Sequence, residues 1–328
     1  PYQRDELVFL MANDSDGFSR WDAAQKLAVD IMQALVHDYQ TGVTLKLDSR
    51  LVDAYRAVLE NSALDKAMVA KVLSLPTEAY LSELATVIDV EAIHHVRNFV
   101  RKELALALED VLLSVYEANN SGGEYSPDAA SIARRSLKNL CLSYLMVTGE
   151  ARYVALAEEQ YAEADNMTDQ SAALSIVAHS RFKQAAHKLL ERFYDQWQDE
   201  ALVVNQWFAI QATNPEPGTL ADVEALMQHS AFDMKNPNKL RSLLGGFCGQ
   251  NAINFHMADG SGYRFLGDRI LELNKQNPQV ASRMLTPLTR WKKYDEARQQ
   301  LMKAQLQRIL DSGELSKDVY EVVSKSLA

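Results

Sequence analysis

The chain has 328 residues, about twice the length of a typical domain, yet carries only 13 Gly and 8 Pro, too few turn formers for most sheet-rich folds. Its 47% hydrophobic content supplies a sizeable core and argues against disorder. With 34 Lys and Arg against 44 Asp and Glu, the net charge of −10 speaks against nucleic acid as a partner, because a phosphate backbone selects basic surfaces.

The chain begins at Pro1 without an initiator Met, which suggests a processed product or a piece cut from something longer. No basic, apolar, small-residue leader follows, and no apolar run approaches the roughly 20 residues that a membrane span needs. A soluble protein without a membrane partner is expected. From residue 18 onward, apolar residues recur at helical spacing with no convincing alternation of period two. Trp21, Ala24, Ala28, Ile31 and Leu35 form a first stripe. Thr77 after Pro76 reads as a helix start. Ile93, Val96, Val100, Leu104, Ala107, Val111 and Val115 then keep one face inward for about six turns, which predicts one long core helix.

A polar loop is expected from Ala118 to Ser126, with Gly122-Gly123 inside it, and Ser126 before Pro127 reads as the next cap. A second loop, Gln211 to Thr219, carries Pro215 and Pro217; neither has the composition of a linker. Asn236 before Pro237 and Asn277 before Pro278 mark two further helix starts, and Tyr263, Leu266, Ile270 and Leu273 a late stripe. Connections of about two to eight residues favour antiparallel neighbours. Roughly fifteen to eighteen helices are expected. No fixed period of tetratricopeptide or HEAT type is present. The expected fold is all-α, an irregular α-α superhelix of stacked antiparallel helix hairpins, in one domain over residues 1–328, with a hinge near 211–219 as the second choice.

Chemistry-bearing motifs are scarce. Cys141 and Cys248 sit in apolar helical patterns and read as buried thiols in a reducing, cytoplasmic compartment. There is no H-E-x-x-H; His94 and His95 are adjacent and would diverge on a helix, and His179 and His187 have no Glu suitably placed, so these histidines read as structural. Asp259-Gly260-Ser261-Gly262 lacks the strand and third glycine of a dinucleotide site and reads as a turn with Ser261 as cap. Arg290-Trp291-Lys292-Lys293-Tyr294 reads as a solvated helix face or a docking patch.

Two helix starts pair an Asn cap and a Pro with a guanidinium: Asn236-Pro237 with Arg241, and Asn277-Pro278 with Gln279 and Arg283, the last two one turn apart on a shared face. Free N–H groups and a directed cationic fork suit a carboxylate or a peptide. By residue chemistry alone, caps with surface ion pairs are the more common explanation.

These segments resemble the C-terminal helical domain of the bacterial aminopeptidase N family, zinc enzymes that remove N-terminal residues from peptides. The resemblance is carried by Phe18-Ser19-Arg20-Trp21-Asp22-Ala23-Ala24-Gln25, Asn166-Met167-Thr168-Asp169, Trp207-Phe208 with Gln211-Ala212-Thr213, Asn236-Pro237-Asn238 through Arg241-Ser242-Leu243, Asp259 to Tyr263, and Asn277 to Arg283. It implies an excised domain without the catalytic part, hence with no catalytic residue, no metal and no cofactor of its own, zinc belonging to the parent enzyme. It further implies a cap over the catalytic cleft that restricts access, partnered by the remaining domains of the same polypeptide and by peptide substrates. Gln279, Arg283 and Arg241 match cavity residues that would bind substrate. The rival expectation is an independent helical scaffold that binds protein partners in a concave groove.

Overall fold

A computed structural model describes residues 2–120 and 124–328. The Gly122-Gly123 turn of the expected polar loop lies outside the described residues. The described chain is helical throughout, with no strand beyond one isolated bridge between Ile88 and Tyr294. It falls into two compact units, one of residues 1–81 and 92–189, the other of 82–91 and 190–328. The expected hinge at 211–219 therefore lies inside the second unit.

In the first unit, α1 (Arg4–Asn13) and α2 (Gly17–Gln40) form a hairpin whose turn is built from side chains. Asp16 accepts the Ser19 N–H at 2.8 Å, and the Arg20 guanidinium reaches back to the carbonyls of Met11, Ala12 and Asp14. Those carbonyls end α1 and have no helical partner of their own, so one cation closes the helix. Ala24, Ala28, Ile31 and Leu35 are buried as the stripe predicts, whereas Trp21 stays exposed. Helices α3 (Ser49–Glu60) and α4 (Lys66–Val72) start on Asp48 and Asp65 caps, and α5 (Glu78–Leu84) follows Thr77, whose hydroxyl accepts the Tyr80 N–H at 3.1 Å.

The expected long helix is two, α6 (Val90–Ala107) and α7 (Glu109–Asn119). Leu108 leaves helical geometry at φ −115°, ψ 13° while hydrogen bonds from Leu108 to Leu104 and from Leu112 to Leu108 persist. The break shifts the buried stripe by one residue: Leu104 is followed inward by Leu108, Leu112 and Tyr116 rather than by Ala107, Val111 and Val115. Then come α8 (Ala129–Val147), α9 (Ala151–Glu163) and α10 (Met167–Ala178). The cap of α8 is Asp128, which accepts the Ser131 N–H at 2.9 Å, and not Ser126. Asp169 of α10 is buried and takes Lys138 Nζ at 2.7 Å and Asn139 Nδ2 at 2.8 Å, so a paired charge ties α8 to α10.

In the second unit, α11 (Lys183–Trp197), α12 (Ala201–Ala212) and α13 (Thr219–Leu226) precede a stretch cut into short pieces: α14 (Pro237–Leu240), a π-helical turn (Arg241–Gly245), α15 (Gly246–Gln250) and α16 (Ala252–Phe255). These pieces carry the helices beyond the expected number. The 211–219 loop is pinned from inside, because Asn251 donates to the Ala212 and Asn214 carbonyls at 3.0 and 2.7 Å. The long α17 (Ser261–Gln276) buries Tyr263, Leu266, Ile270 and Leu273 completely. After it run α18 (Pro278–Met284), α19 (Thr286–Thr289), a 3-10 turn at Trp291–Lys293, α20 (Glu296–Leu310) and α21 (Lys317–Leu327).

Ser261 is the first residue of α17 rather than its cap. Gly260 occupies the cap position at φ 68°, and the Asp259 carboxylate accepts the Ser261 N–H at 2.9 Å. At Gly262 the need for glycine is steric: a Cβ would stand 2.1 Å from the Phe255 carbonyl oxygen. Gly262→Ala is therefore expected to cost about 3 kcal/mol, while Gly249→Ala, with nothing within 4 Å of its Cβ position, leaves stability unchanged or slightly raised. Urea unfolding of the two variants reads the difference directly.

Candidate functional site

The first candidate segment is organised by Asn236. Its side-chain oxygen accepts the N–H of Asn238 at 2.9 Å and of Lys239 at 3.4 Å, and Pro237 has no N–H to offer. The backbone donors that could have cradled an anion are thus largely taken, and a helix of four residues carries little macrodipole. What remains is the side chains. Arg241 opens the π-helical turn, is exposed, and donates to Asn238 Oδ1 at 3.2 Å. Lys239 lies 5.7 Å over the Phe208 ring. That ring belongs to an aromatic group with Trp207, His229 and Phe232, and Trp207 Nε1 is fixed on the Leu190 carbonyl at 2.9 Å. The wider turn lets α15 approach α12 closely: a Cβ on Gly246 would meet the Ala212 Cβ at 3.1 Å.

The second segment, α18, buries Ala281 and Met284 and packs on α17 and α21. Asn277 accepts the Val280 N–H at 3.3 Å, as its sequence position predicts. Gln279 and Arg283 project from the opposite, exposed side one turn apart. Among the described residues, neither the Gln279 amide nor the Arg283 guanidinium makes a hydrogen bond or ion pair. Other arginines of this unit are engaged: Arg290 with Glu83 at 2.6 Å, Arg308 with Asp268 at 2.7 Å, Arg269 with Glu272 at 3.5 Å, and Arg264 with the Asp259 carbonyl at 2.7 Å. Arg283 sits in the last turn of its seven-residue helix, so its charge is held by local geometry and not by a partner. The structure thus brings Gln279 and Arg283 together, while Arg241 belongs to a separate hairpin.

The stretch from Arg290 to Tyr294 is not the solvated helix face expected of it, but a 3-10 turn that exposes its lysines and buries its aromatic rings. Trp291 and Tyr294 are buried, with Trp291 Nε1 donating to the Ser326 carbonyl at 3.0 Å. Tyr294 leads to a cluster that sequence reasoning missed. His256 Nδ1 lies 2.9 Å from the Tyr263 hydroxyl and its Nε2 3.0 Å from the Tyr294 hydroxyl, so a neutral ring satisfies both. Arg298 donates to the His256 carbonyl at 2.8 Å, to Asp295 at 2.8 Å and to Glu91. Burial first, then the nearby cations Arg298 and Arg290, push the His256 pKa down to about 3. The cluster binds segment 82–91 to the remainder of its unit, with His256, Tyr263, Tyr294 and Arg298 buried and the Glu91 and Asp295 carboxylates half-exposed at its edge, which suits a lock and not a catalyst. The only hint in the sequence is the spacing of Asp295 and Arg298.

Both cysteines are buried, and burial pushes the Cys141 thiol up to about 12 and Cys248 higher still, so neither is a nucleophile near neutrality. His94 bridges Glu78 and Asn98 at 2.8 and 2.9 Å. Among the described residues, no group of three or more His, Cys, Asp or Glu is placed to hold a metal ion, and no helix is long and apolar enough to cross a membrane.

Comparison with known proteins converges on one group. The family described as "Domain of unknown function (DUF3458_C) ARM repeats" matches residues 4–328. Aminopeptidase N of Escherichia coli is 42% identical over 324 residues, 98% of this chain and 37% of that protein. Aminopeptidase N of Haemophilus influenzae is 37% identical over 326 residues, 99% of this chain and 37% of that protein. A crystal structure of Legionella pneumophila aminopeptidase A in complex with aspartic acid superposes over 100% of this chain and 39% of its own, with a TM-score of 0.90 at 31% identity. The chain spans little more than a third of the curated relatives it matches.

The His256 cluster sets a pH dependence. Its folded pKa of about 3 lies below the ordinary histidine value of about 6.5, so the unfolded chain binds the proton more readily. This contribution to stability is complete above about pH 6.5 and is lost as the pH falls toward 3, at up to about 1.4 kcal/mol per pH unit. Urea midpoints of the native protein and His256→Gln are expected to converge as the pH drops from 7 to 4. Parallel curves would show that His256 carries no such lock.

Proposed function

The chain belongs to the DUF3458_C armadillo-repeat family as the C-terminal helical domain of an aminopeptidase N-type protein, and from that membership we propose that it serves a zinc aminopeptidase as a non-catalytic cap. In this reading the whole of residues 1–328 is one domain that covers the catalytic cleft, admits peptides, excludes folded proteins, and lends Arg283, Gln279 and Arg241 to the enclosed cavity. Its partners are the remaining domains of the same polypeptide and the peptide substrate. The observation that carries the reading is the match along nearly the full chain, 98% of it at 42% identity, to a fraction of a longer aminopeptidase.

In this reading the zinc ion belongs to the catalytic part of the parent enzyme. The contribution of this chain is positional. A guanidinium offers two parallel N–H donors to a carboxylate or main-chain carbonyl, and the Gln279 amide one turn earlier supplies both a donor and an acceptor. Holding the peptide at two points lowers the entropic cost of aligning its first bond with the reacting centre. That Arg283 has no partner among the described residues supports this role, because a cation without an internal partner is free to meet a ligand.

In the parent enzyme, Arg283→Ala is expected to lower kcat/KM for peptides about tenfold, with an unchanged melting temperature and partial recovery in Arg283→Lys. Unchanged kinetics across several peptide lengths would remove Arg283 from the site. The purified chain 1–328 with added zinc is expected to show no turnover of an aminoacyl chromogenic substrate, and turnover above blank would contradict the non-catalytic reading.

A further inference from the structure

Exposed aromatic side chains are unevenly distributed along the chain. Tyr2, Phe9, Phe18, Trp21, Tyr39 and Tyr80 fall within the first eighty residues, against only Tyr125 and Tyr320 among the described residues beyond them. Phe18 and Trp21 pair at 5.7 Å between ring centroids on the first turns of α2. They belong to one of the sequence blocks that carry the family resemblance, and neither the core nor the proposed peptide contacts use them.

Trp21 also lines a groove of about 480 Å³ that runs along one face of α2, past Gln25, Val29 and Gln33, with Leu75, Pro76 and Tyr80 as its other wall. The charged groups of this groove are already paired internally, and one of its amides is bonded. Gln25 Nε2 donates to the Ser74 carbonyl at 2.8 Å, Lys26 pairs with Asp22 at 2.6 Å, and Asp30 pairs with Arg4 at 2.5 Å. An occupant therefore meets no unpaired charge, and apolar contact is what the surface has to give. With Phe18 67%, Trp21 36% and Tyr80 49% exposed, these three rings leave on the order of 300 Å² in water, the size of a functional patch on a monomer.

The position of the groove points to its occupant. Lys26 and Asp30 on its rim also line a second, open cleft formed by Tyr2 to Leu7, so the groove adjoins the first residues of the chain. The relatives carry this region as 37% of their length, which leaves more than half of the polypeptide outside it. We propose that this groove, with Phe18, Trp21 and Tyr80 around it, is the seat of the part of the parent polypeptide that precedes Pro1, which inserts apolar side chains between α2 and the segment from Ser74 to Tyr80. The proposal rests on the reading of the chain as one domain of a longer aminopeptidase. Intramolecular docking suits a patch of this size, because tethering raises the effective concentration and a small apolar contact suffices.

Hydroxyl-radical footprinting of the intact parent enzyme tests this, with each residue's modification rate divided into the rate for the same protein unfolded in guanidinium. The exposures seen here imply protection of only about threefold at Trp21, twofold at Tyr80 and less at Phe18. Docking is expected to raise Trp21 and Tyr80 above about tenfold at every protein concentration. Protection that stays at the lower values overturns the proposal, as does protection that vanishes on dilution together with a dimer mass, which would assign the groove to a second copy. Aminopeptidase turnover measured on the same preparation reports on the functional reading separately. An active enzyme with reactive Trp21 and Tyr80 would sink the docking proposal alone.

Discussion

A chain built from helices as short as four residues has to satisfy the backbone groups at their ends, and most of this architecture follows from how it does so. Every helix leaves four N–H and four C=O groups without helical partners, so a short helix has more open ends than internal bonds. Here side chains close many of the ends, and backbone bonds of the flanking turns close others. Asp16, Asp48, Asp65, Asp128 and Asp295 take N-terminal donors, Asn236 and Asn277 do so beside prolines, and Asn251 reaches across to the carbonyls that end α12. Arg20 takes three carbonyls at the C-terminus of α1. Each such contact stabilises by about 1 kcal/mol, and each also fixes the angle at which the next helix leaves.

Two buried charge networks add long-range ties to these local ones. Lys138 and Asp169 join α8 to α10 in the first unit, and the amides of Asn139 and Gln160 complete that network. Arg298, with His256, Tyr263 and Tyr294, holds the short 82–91 segment on the remainder of the second unit, from which it is remote in sequence. Removing Lys138 would leave the buried Asp169 carboxylate uncompensated, which is why such a pair acts as a register more than as a source of stability.

Much of this was legible in the residues. The stripes on α2 and α17 are buried as their spacing predicts, apart from Trp21, and the Asn-Pro starts of α14 and α18 are capped as expected. The misses have physical causes. At Leu108 apolar residues occupy two adjacent stripes, so periodicity does not reveal a change of face within one apparently continuous helix. At Ser126 and Ser261 a neighbouring Asp with a better-placed carboxylate accepts the helix-end N–H instead. The His256 cluster draws on residues 91, 256, 263, 294, 295 and 298, a combination that only tertiary structure assembles. For the site, the sequence pointed to Gln279, Arg283 and Arg241, whereas the absence of a partner for Arg283 among the described residues became visible only in three dimensions.

The functional account depends on α18 facing a peptide. Its Asn277 cap and buried Ala281 and Met284 leave Gln279 and Arg283 outward by construction, and what they face is decided by the remainder of the parent polypeptide. The most direct measurement is a structure of the parent enzyme with a non-hydrolysable peptide analogue bound. The account predicts the Arg283 guanidinium or the Gln279 amide within about 3 Å of an oxygen of that peptide. A bound peptide with α18 turned toward bulk solvent would contradict it.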